Sequence, residues 1–110
     1  MKIKINKTEI EAKMVSGFGK FKGLMFERKD KAKALLFVFK KPTKLAIHSF
    51  FCMPFLAVWL DDKNRIIEKQ FVRPFRLYIR PKKPFYKLLE IPINKEYNKK
   101  ILTLVGKRKI

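Results

Sequence analysis

Short strand-like segments recur about every 10 residues along this 110-residue chain, and turn-forming residues separate them. No amphipathic segment longer than two helical turns is visible in the sequence. Regularly spaced short strands are typical of all-β sandwiches and barrels. The sequence therefore predicts one compact, mainly β domain over residues 1–110, sandwich- or barrel-like, with at most short helical turns.

The positions of the strands follow from hydrophobic periodicity. Alternating polar and apolar residues predict half-buried strands with one wet face, and continuous apolar runs predict strands buried on both faces. Asp61-Asp62-Lys63-Asn64 has turn chemistry, so it is expected to close a β-hairpin. The predicted strands are residues 2–5, 9–14, 34–39 (ended by Lys40-Lys41-Pro42), 45–53, 55–60, 65–71, 76–80, 85–91 and 101–105.

The longest uncharged run covers residues 45–60 and indicates buried strands. Pro54 divides these 16 residues, and a membrane-spanning helix needs about 20 apolar residues. No membrane association and a cytoplasmic location are expected. The lone Cys52 excludes a disulfide within one chain, and a single Cys with a single His excludes a zinc finger. No metal and no cofactor are predicted.

Charge is the feature that points most directly to a partner. The chain carries 28 Lys and Arg against 9 Asp and Glu, a formal net charge of +19. Residues 71–110 hold 12 basic and 2 acidic side chains, a net charge of +10. With so few acids, ion pairs cannot absorb the excess, which must face water or an anionic partner. A polyanion such as RNA or DNA fits this surface.

The best candidate site lies between Arg73 and Lys83. If residues 76–80 form a strand, Arg76, Tyr78 and Arg80 share one face. Two guanidinium groups beside a phenol ring are suited to bind phosphates and stack a base. The predicted binding residues are Arg73, Arg76, Tyr78, Arg80, Lys82 and Lys83. The alternative is a solvated strand face on which the Tyr ring packs under the Arg stems.

His48 is the other residue with chemistry to offer. A pocket around His48 and Arg28 would suit a small anion, as a ligand-binding or catalytic site. A nucleophile–base pair of His48 with Cys52 is not expected, because four residues of strand separate them by about 13 Å. Both residues are therefore interpreted as structural. Asp61 and Asp62 are assigned to the turn, so no catalytic residue is predicted.

Several segments, taken in order, resemble a known family. They are GLMF (residues 23–26), LLFVF (35–39), HSFF (48–51) and LLEIP (88–92). Over residues 23–92 the chain is similar to the domain-of-unknown-function family 192. The resemblance implies a small, mainly β, sandwich-like fold and no established activity. Two departures stand out: Glu27 precedes Arg28, and Leu56 stands where many members carry Asp.

Three functions remain open on the sequence. The favoured hypothesis is non-enzymatic binding of RNA or DNA, driven by counterion release and largely without sequence preference. The second is a small-anion site around His48. The third is a subunit that binds an acidic protein partner, with the charge steering association.

Overall fold

The computed structural model describes residues 2–15, 31–44, 46–47, 54–76 and 78–105, and within them it contains six strands and one helix. They are β1 (Lys2–Ile5), β2 (Thr8–Val15), β3 (Ala34–Thr43), β4 (Phe55–Leu60), β5 (Ile66–Val72), β6 (Phe85–Pro92) and α1 (Asn98–Val105).

The six strands form one sheet, in the order β1-β2-β3-β6-β4-β5, which curls into half a barrel. β2 and β3 run parallel, and every other neighbouring pair is antiparallel. The predicted mainly β fold is confirmed. β1 and β2 each have one wet face, as their alternating sequences predict.

Every residue of β4 is buried, so both faces of the sheet are covered at this strand. This explains why the sequence of β4 is continuously apolar. One face, here called the helix face, carries a cluster that includes Leu56, Val58 and Leu60 with Ile101 and Leu104 of α1. The opposite face, here called the aromatic face, carries a second cluster that includes Phe55, Ala57, Trp59, Phe85 and Leu88.

The predicted strand over residues 101–105 is wrong, because this segment is helical. Tyr97, Ile101 and Leu104 are buried at spacings of four and three residues, which is the stripe of a helix that packs on a core. Asn94 holds the start of this segment: its side-chain oxygen accepts a hydrogen bond from the Tyr97 N–H at 3.3 Å. The Tyr97 hydroxyl in turn accepts from the Ala34 N–H at 3.0 Å and ties the helix to β3.

Lys40-Lys41-Pro42 does not end the third strand, which continues to Thr43. The pairing of β3 with β6 is irregular between Val38 and Thr43, where the register shifts before Thr43 pairs with Phe85. A proline cannot donate to a regular ladder, but an irregularity of this kind tolerates it. The strand therefore passes through a residue that was expected to stop it.

The turn after β4 is organised by Asp61, as its sequence predicts. One carboxylate oxygen accepts the N–H groups of Lys63 and Arg65, both at 2.8 Å, and the other accepts from Arg65 Nε at 2.7 Å. The hydrogen bond from the Arg65 backbone holds the pKa of Asp61 below its ordinary value. Asn64 adopts a φ of 64°, which Asn tolerates better than most residues.

We expect Asp61→Ala to lower the melting temperature by several degrees, because the two turn N–H groups lose their acceptor. Asp62→Ala removes the same charge from the same turn at an exposed position, and it should melt close to the wild type. Thermal unfolding followed by circular dichroism compares the two variants. Equal melting temperatures would show that net charge, and not the Asp61 hydrogen bonds, governs the effect.

Candidate nucleic-acid interface

Residues 73–83 connect β5 to β6 and concentrate positive charge with aromatic rings; they are called here the basic–aromatic segment. The segment contains five cationic side chains and no acidic one. All seven of its charged and aromatic residues are exposed: Arg73, Phe75, Arg76, Tyr78, Arg80, Lys82 and Lys83. The six residues predicted for binding are thus on the surface, in one stretch of chain.

The segment is not the regular strand that was predicted over residues 76–80. Among the described residues, its strand-like pairing is one isolated bridge, in which Ile79 and Ile47 exchange N–H···O bonds of 2.8 and 2.9 Å. Ile79 is buried on the aromatic face, whereas Tyr78 and Arg80 on either side of it are exposed. Exposed and buried side chains therefore alternate over residues 78–80, as in a strand, but Arg76 does not belong to a strand. The predicted strand over residues 45–53 lies mostly outside the described residues.

Tyr78 and Arg80 contact each other on the surface. The guanidinium carbon of Arg80 lies 5.4 Å from the centroid of the Tyr78 ring, within the range of a cation–π interaction. Tyr78 is 64 % exposed despite this contact. The expected juxtaposition of a cation with the ring is present, and it also matches the alternative in which the ring packs under an Arg stem.

Phe75 also belongs to this surface, although it is not among the six residues predicted for binding. The side chain is 62 % exposed, and the backbone has a φ of 64°. Such an angle is an outlier for a bulky residue and is normally left to Gly or Asn. Strained positions of this kind cluster at functional sites. Pro74 is the sequence signal for the positive φ of Phe75, because Pro favours the second position of turns in which the third residue has a positive φ.

Two polar residues of β5, neither of them predicted as part of the site, anchor the basic–aromatic segment. The carboxylate of Glu68 accepts the Lys82 N–H at 2.9 Å and the side-chain amide of Gln70 at 2.6 Å. The Gln70 amide also lies 3.5 Å from the Arg80 carbonyl oxygen. Glu68 and Gln70 are two residues apart on one strand, so they face the same side of the sheet. Strand alternation carries no information about this contact, which spans 14 residues of sequence.

His48, Arg28 and Cys52 lie outside the described residues, so the proposed pocket around His48 and the separation of His48 from Cys52 stay predictions. Within the described ranges, no group of three His, Cys, Asp or Glu side chains is placed to hold a metal ion. The same part of the chain contains no helix that is long and apolar enough to cross a membrane.

A surface depression lies between the β1–β2 hairpin and the start of α1, and it is lined by both acidic and basic side chains. Its lining includes three carboxylates and two lysines: Glu9, Glu11, Glu96, Lys2 and Lys100. Glu96 also pairs with Lys33 at 2.8 Å. Because the carboxylates would repel phosphates, the basic–aromatic segment is the better surface for a polyanion.

No protein-family model and no curated protein matches the sequence. The fold is similar to the crystal structure of a protein of unknown function from Novosphingobium aromaticivorans DSM 12444, with a TM-score of 0.65. The two sequences are 14 % identical, and the match covers 84 % of this chain and 69 % of that chain. A likeness at this level of identity supports the fold alone.

Proposed function

We propose that this protein binds single-stranded RNA or DNA through its basic–aromatic segment and without catalysis. The observation that carries the proposal is the exposed Tyr78 ring with the Arg80 guanidinium over it, in a segment that holds five cations and no acid. A neutral ligand would not make use of this charge, and a purely ionic surface would not need exposed rings.

The chemistry divides between charge and stacking. Lys and Arg side chains that neutralise phosphates release condensed counterions, which drives binding and makes it depend on salt. Exposed aromatic rings stack on bases of any sequence, because every base has a π face. The contact between Arg80 and Tyr78 keeps a cation close to a stacking ring. The phosphate and the base of one nucleotide can therefore bind neighbouring side chains.

The anchoring contacts give the segment a defined position. The bridge at Ile79 and the hydrogen bond from Lys82 to Glu68 attach it to the rest of the fold on either side of Arg80. A surface held in this way loses less conformational entropy on binding than a free loop. We expect the ligand to be a cytoplasmic nucleic acid. Membership of family 192 also remains a proposal, resting on the ordered segments between residues 23 and 92.

We expect the wild type to bind labelled single-stranded RNA or DNA with micromolar or weaker affinity at moderate salt, measured by fluorescence anisotropy. Contact with about four phosphates should give a slope of log K against log salt near −3, from roughly −0.7 per phosphate on single strands. The double variant Arg76→Ala, Arg80→Ala should reduce the magnitude of this slope by about 1 to 1.5.

The matched control is Lys4→Ala with Lys13→Ala, which removes two exposed charges from β1 and β2. This control should leave the slope close to that of the wild type, because those lysines lie outside the basic–aromatic segment. An equal reduction in both double variants would mean diffuse attraction by the whole protein. Absence of binding at low salt would defeat the nucleic-acid proposal and favour a small anion or an acidic protein partner.

A further inference from the structure

Three exposed lysines lie at the end of β3, outside the surface described so far. They are Lys40, Lys41 and Lys44, called here the lysine group. The pairing of β3 with β6 accounts for the exposure of the first two. The five steps from Val38 to Thr43 on β3 correspond to two steps on β6, from Lys87 to Phe85, so β3 carries three extra residues here. Extra residues in a bulge are left out of the ladder and re-aim their side chains.

The lysine group adjoins the basic–aromatic segment. Thr43 pairs with Phe85, and Ile47 exchanges two hydrogen bonds with Ile79. Both pairs are antiparallel, so the two stretches of chain are neighbours at both ends of this interval, about 4.8 Å apart where they pair. Lys44 falls within the interval on one stretch. The last two lysines of the basic–aromatic segment fall within it on the other, so cations of both groups lie close together.

Aromatic packing gives the bulge a defined position. The Phe39 ring meets the Phe85 ring edge-on, with the two ring centroids 5.6 Å apart. Phe85 is itself buried and packs against Trp59 in the aromatic face. Because Phe39 directly precedes Lys40, this contact holds the start of the lysine group against the core. Side chains on a fixed backbone lose less conformational entropy on binding than those on a free loop.

The two adjoining groups concentrate uncompensated positive charge. Residues 40–44 and 73–83 contain eight Lys and Arg and no Asp or Glu. No ion pair among the described residues involves the lysine group. Glu68 is a carboxylate placed against this surface, and its oxygens accept hydrogen bonds from the Lys82 N–H and the Gln70 amide. The combined surface therefore attracts phosphates over both groups and not over the basic–aromatic segment alone.

We propose that the lysine group binds the same nucleic-acid strand as the basic–aromatic segment, so that the ligand is a single strand of about seven nucleotides or more. This inference rests on the proposed function and adds a length requirement to it. The seven steps from Lys40 to Ile47 span at most about 23 Å of extended chain. Phosphates of a stacked strand follow one another at about 3.4 Å, so about seven nucleotides cover that distance. Bases stack on the rings of the basic–aromatic segment while the phosphates beyond them reach the lysine group.

Oligonucleotides of two lengths separate the two groups. We expect labelled oligo(dT) of about five nucleotides to bind the basic–aromatic segment alone, with four phosphates and a slope of log K against log salt near −3. Oligo(dT) of about twelve nucleotides adds contacts with about three phosphates, so its slope should approach −5, from roughly −0.7 per phosphate. Fluorescence anisotropy at several salt concentrations measures both slopes.

The variant Lys40→Ala, Lys41→Ala, Lys44→Ala should return the slope for the longer strand to about −3, because three phosphate contacts are lost. It should bind the shorter strand like the wild type. Circular dichroism verifies that the variant folds.

The matched control is Lys4→Ala with Lys7→Ala and Lys13→Ala, which removes the same charge from exposed positions of β1, β2 and the turn between them. This control should keep the wild-type slope for the longer strand. An equal loss in both triple variants overturns the inference, and so does a wild-type slope that is the same for both lengths. Binding of the shorter strand would still support the proposed function in either case. A wild type that binds neither strand overturns the proposed function and the inference together.

Discussion

Glu90→Gln should make the stability of this protein nearly independent of pH between about 5 and 8, where the wild type should lose stability steadily. Burial among apolar side chains raises the pKa of Glu90 from 4.5 to about 8 in the folded protein. In the unfolded chain the same carboxyl returns to its ordinary value. Folding is therefore linked to the uptake of a proton over this range.

The direction follows from the two pKa values. Between pH 4.5 and 8 the folded protein binds the Glu90 proton and the unfolded chain does not, so rising pH favours unfolding. The stabilisation is complete below pH 4.5 and is lost as the pH rises to about 8. At 1.36 kcal/mol per pKa unit, the loss is on the order of 4 kcal/mol. A domain of this size would then melt about 15 °C lower.

Urea unfolding at several pH values measures this directly. Glu90→Gln should match the wild type near pH 5 and exceed its stability at pH 9, because an amide fills the same space without becoming charged. Glu9→Gln is the control, since it neutralises an exposed carboxylate of β2 and should leave the pH profile parallel to that of the wild type. Parallel profiles for the wild type and Glu90→Gln would show that Glu90 is ionised in the fold.

Replacing both aromatic residues of the basic–aromatic segment, by Phe75→Gly with Tyr78→Ala, should weaken binding of single-stranded RNA or DNA about 30-fold or more. Stacking of one base on an aromatic ring contributes about 1–3 kcal/mol. The salt slope should stay unchanged, since neither ring carries charge. Anisotropy titrations at three or more salt concentrations give both quantities.

Glycine is the replacement at position 75 because the backbone there has a φ of 64°. Glycine adopts this angle without steric cost, so the fold should tolerate the change. The control is Phe71→Ala, which removes a ring that is 40 % exposed on β5 and pairs with Leu56 of the helix face. Phe71→Ala should bind like the wild type. Unchanged affinity in the Phe75, Tyr78 double variant would leave charge alone as the basis of binding.

Local sequence determined most of the strands. The alternation in residues 2–5 indicates one buried face, and the continuous apolar run of β4 indicates two. Both patterns depend only on the residues themselves. The turn at Asp61 was predictable for the same reason, because its side chain bonds to N–H groups two and four residues away. The cationic and aromatic character of residues 73–83 was equally evident from the sequence.

Only the tertiary structure decided which of these segments meet. An apolar run as short as residues 101–105 fits a strand or a helix, and packing of Ile101 and Leu104 on the helix face selected the helix. Glu90 reads as a polar residue within an apolar strand, and it is buried because β6 lies between β3 and β4 in the sheet. The anchoring of Lys82 by Glu68 likewise depends on how β5 and the following segment pack together. Such contacts join residues far apart in sequence, so no local pattern encodes them.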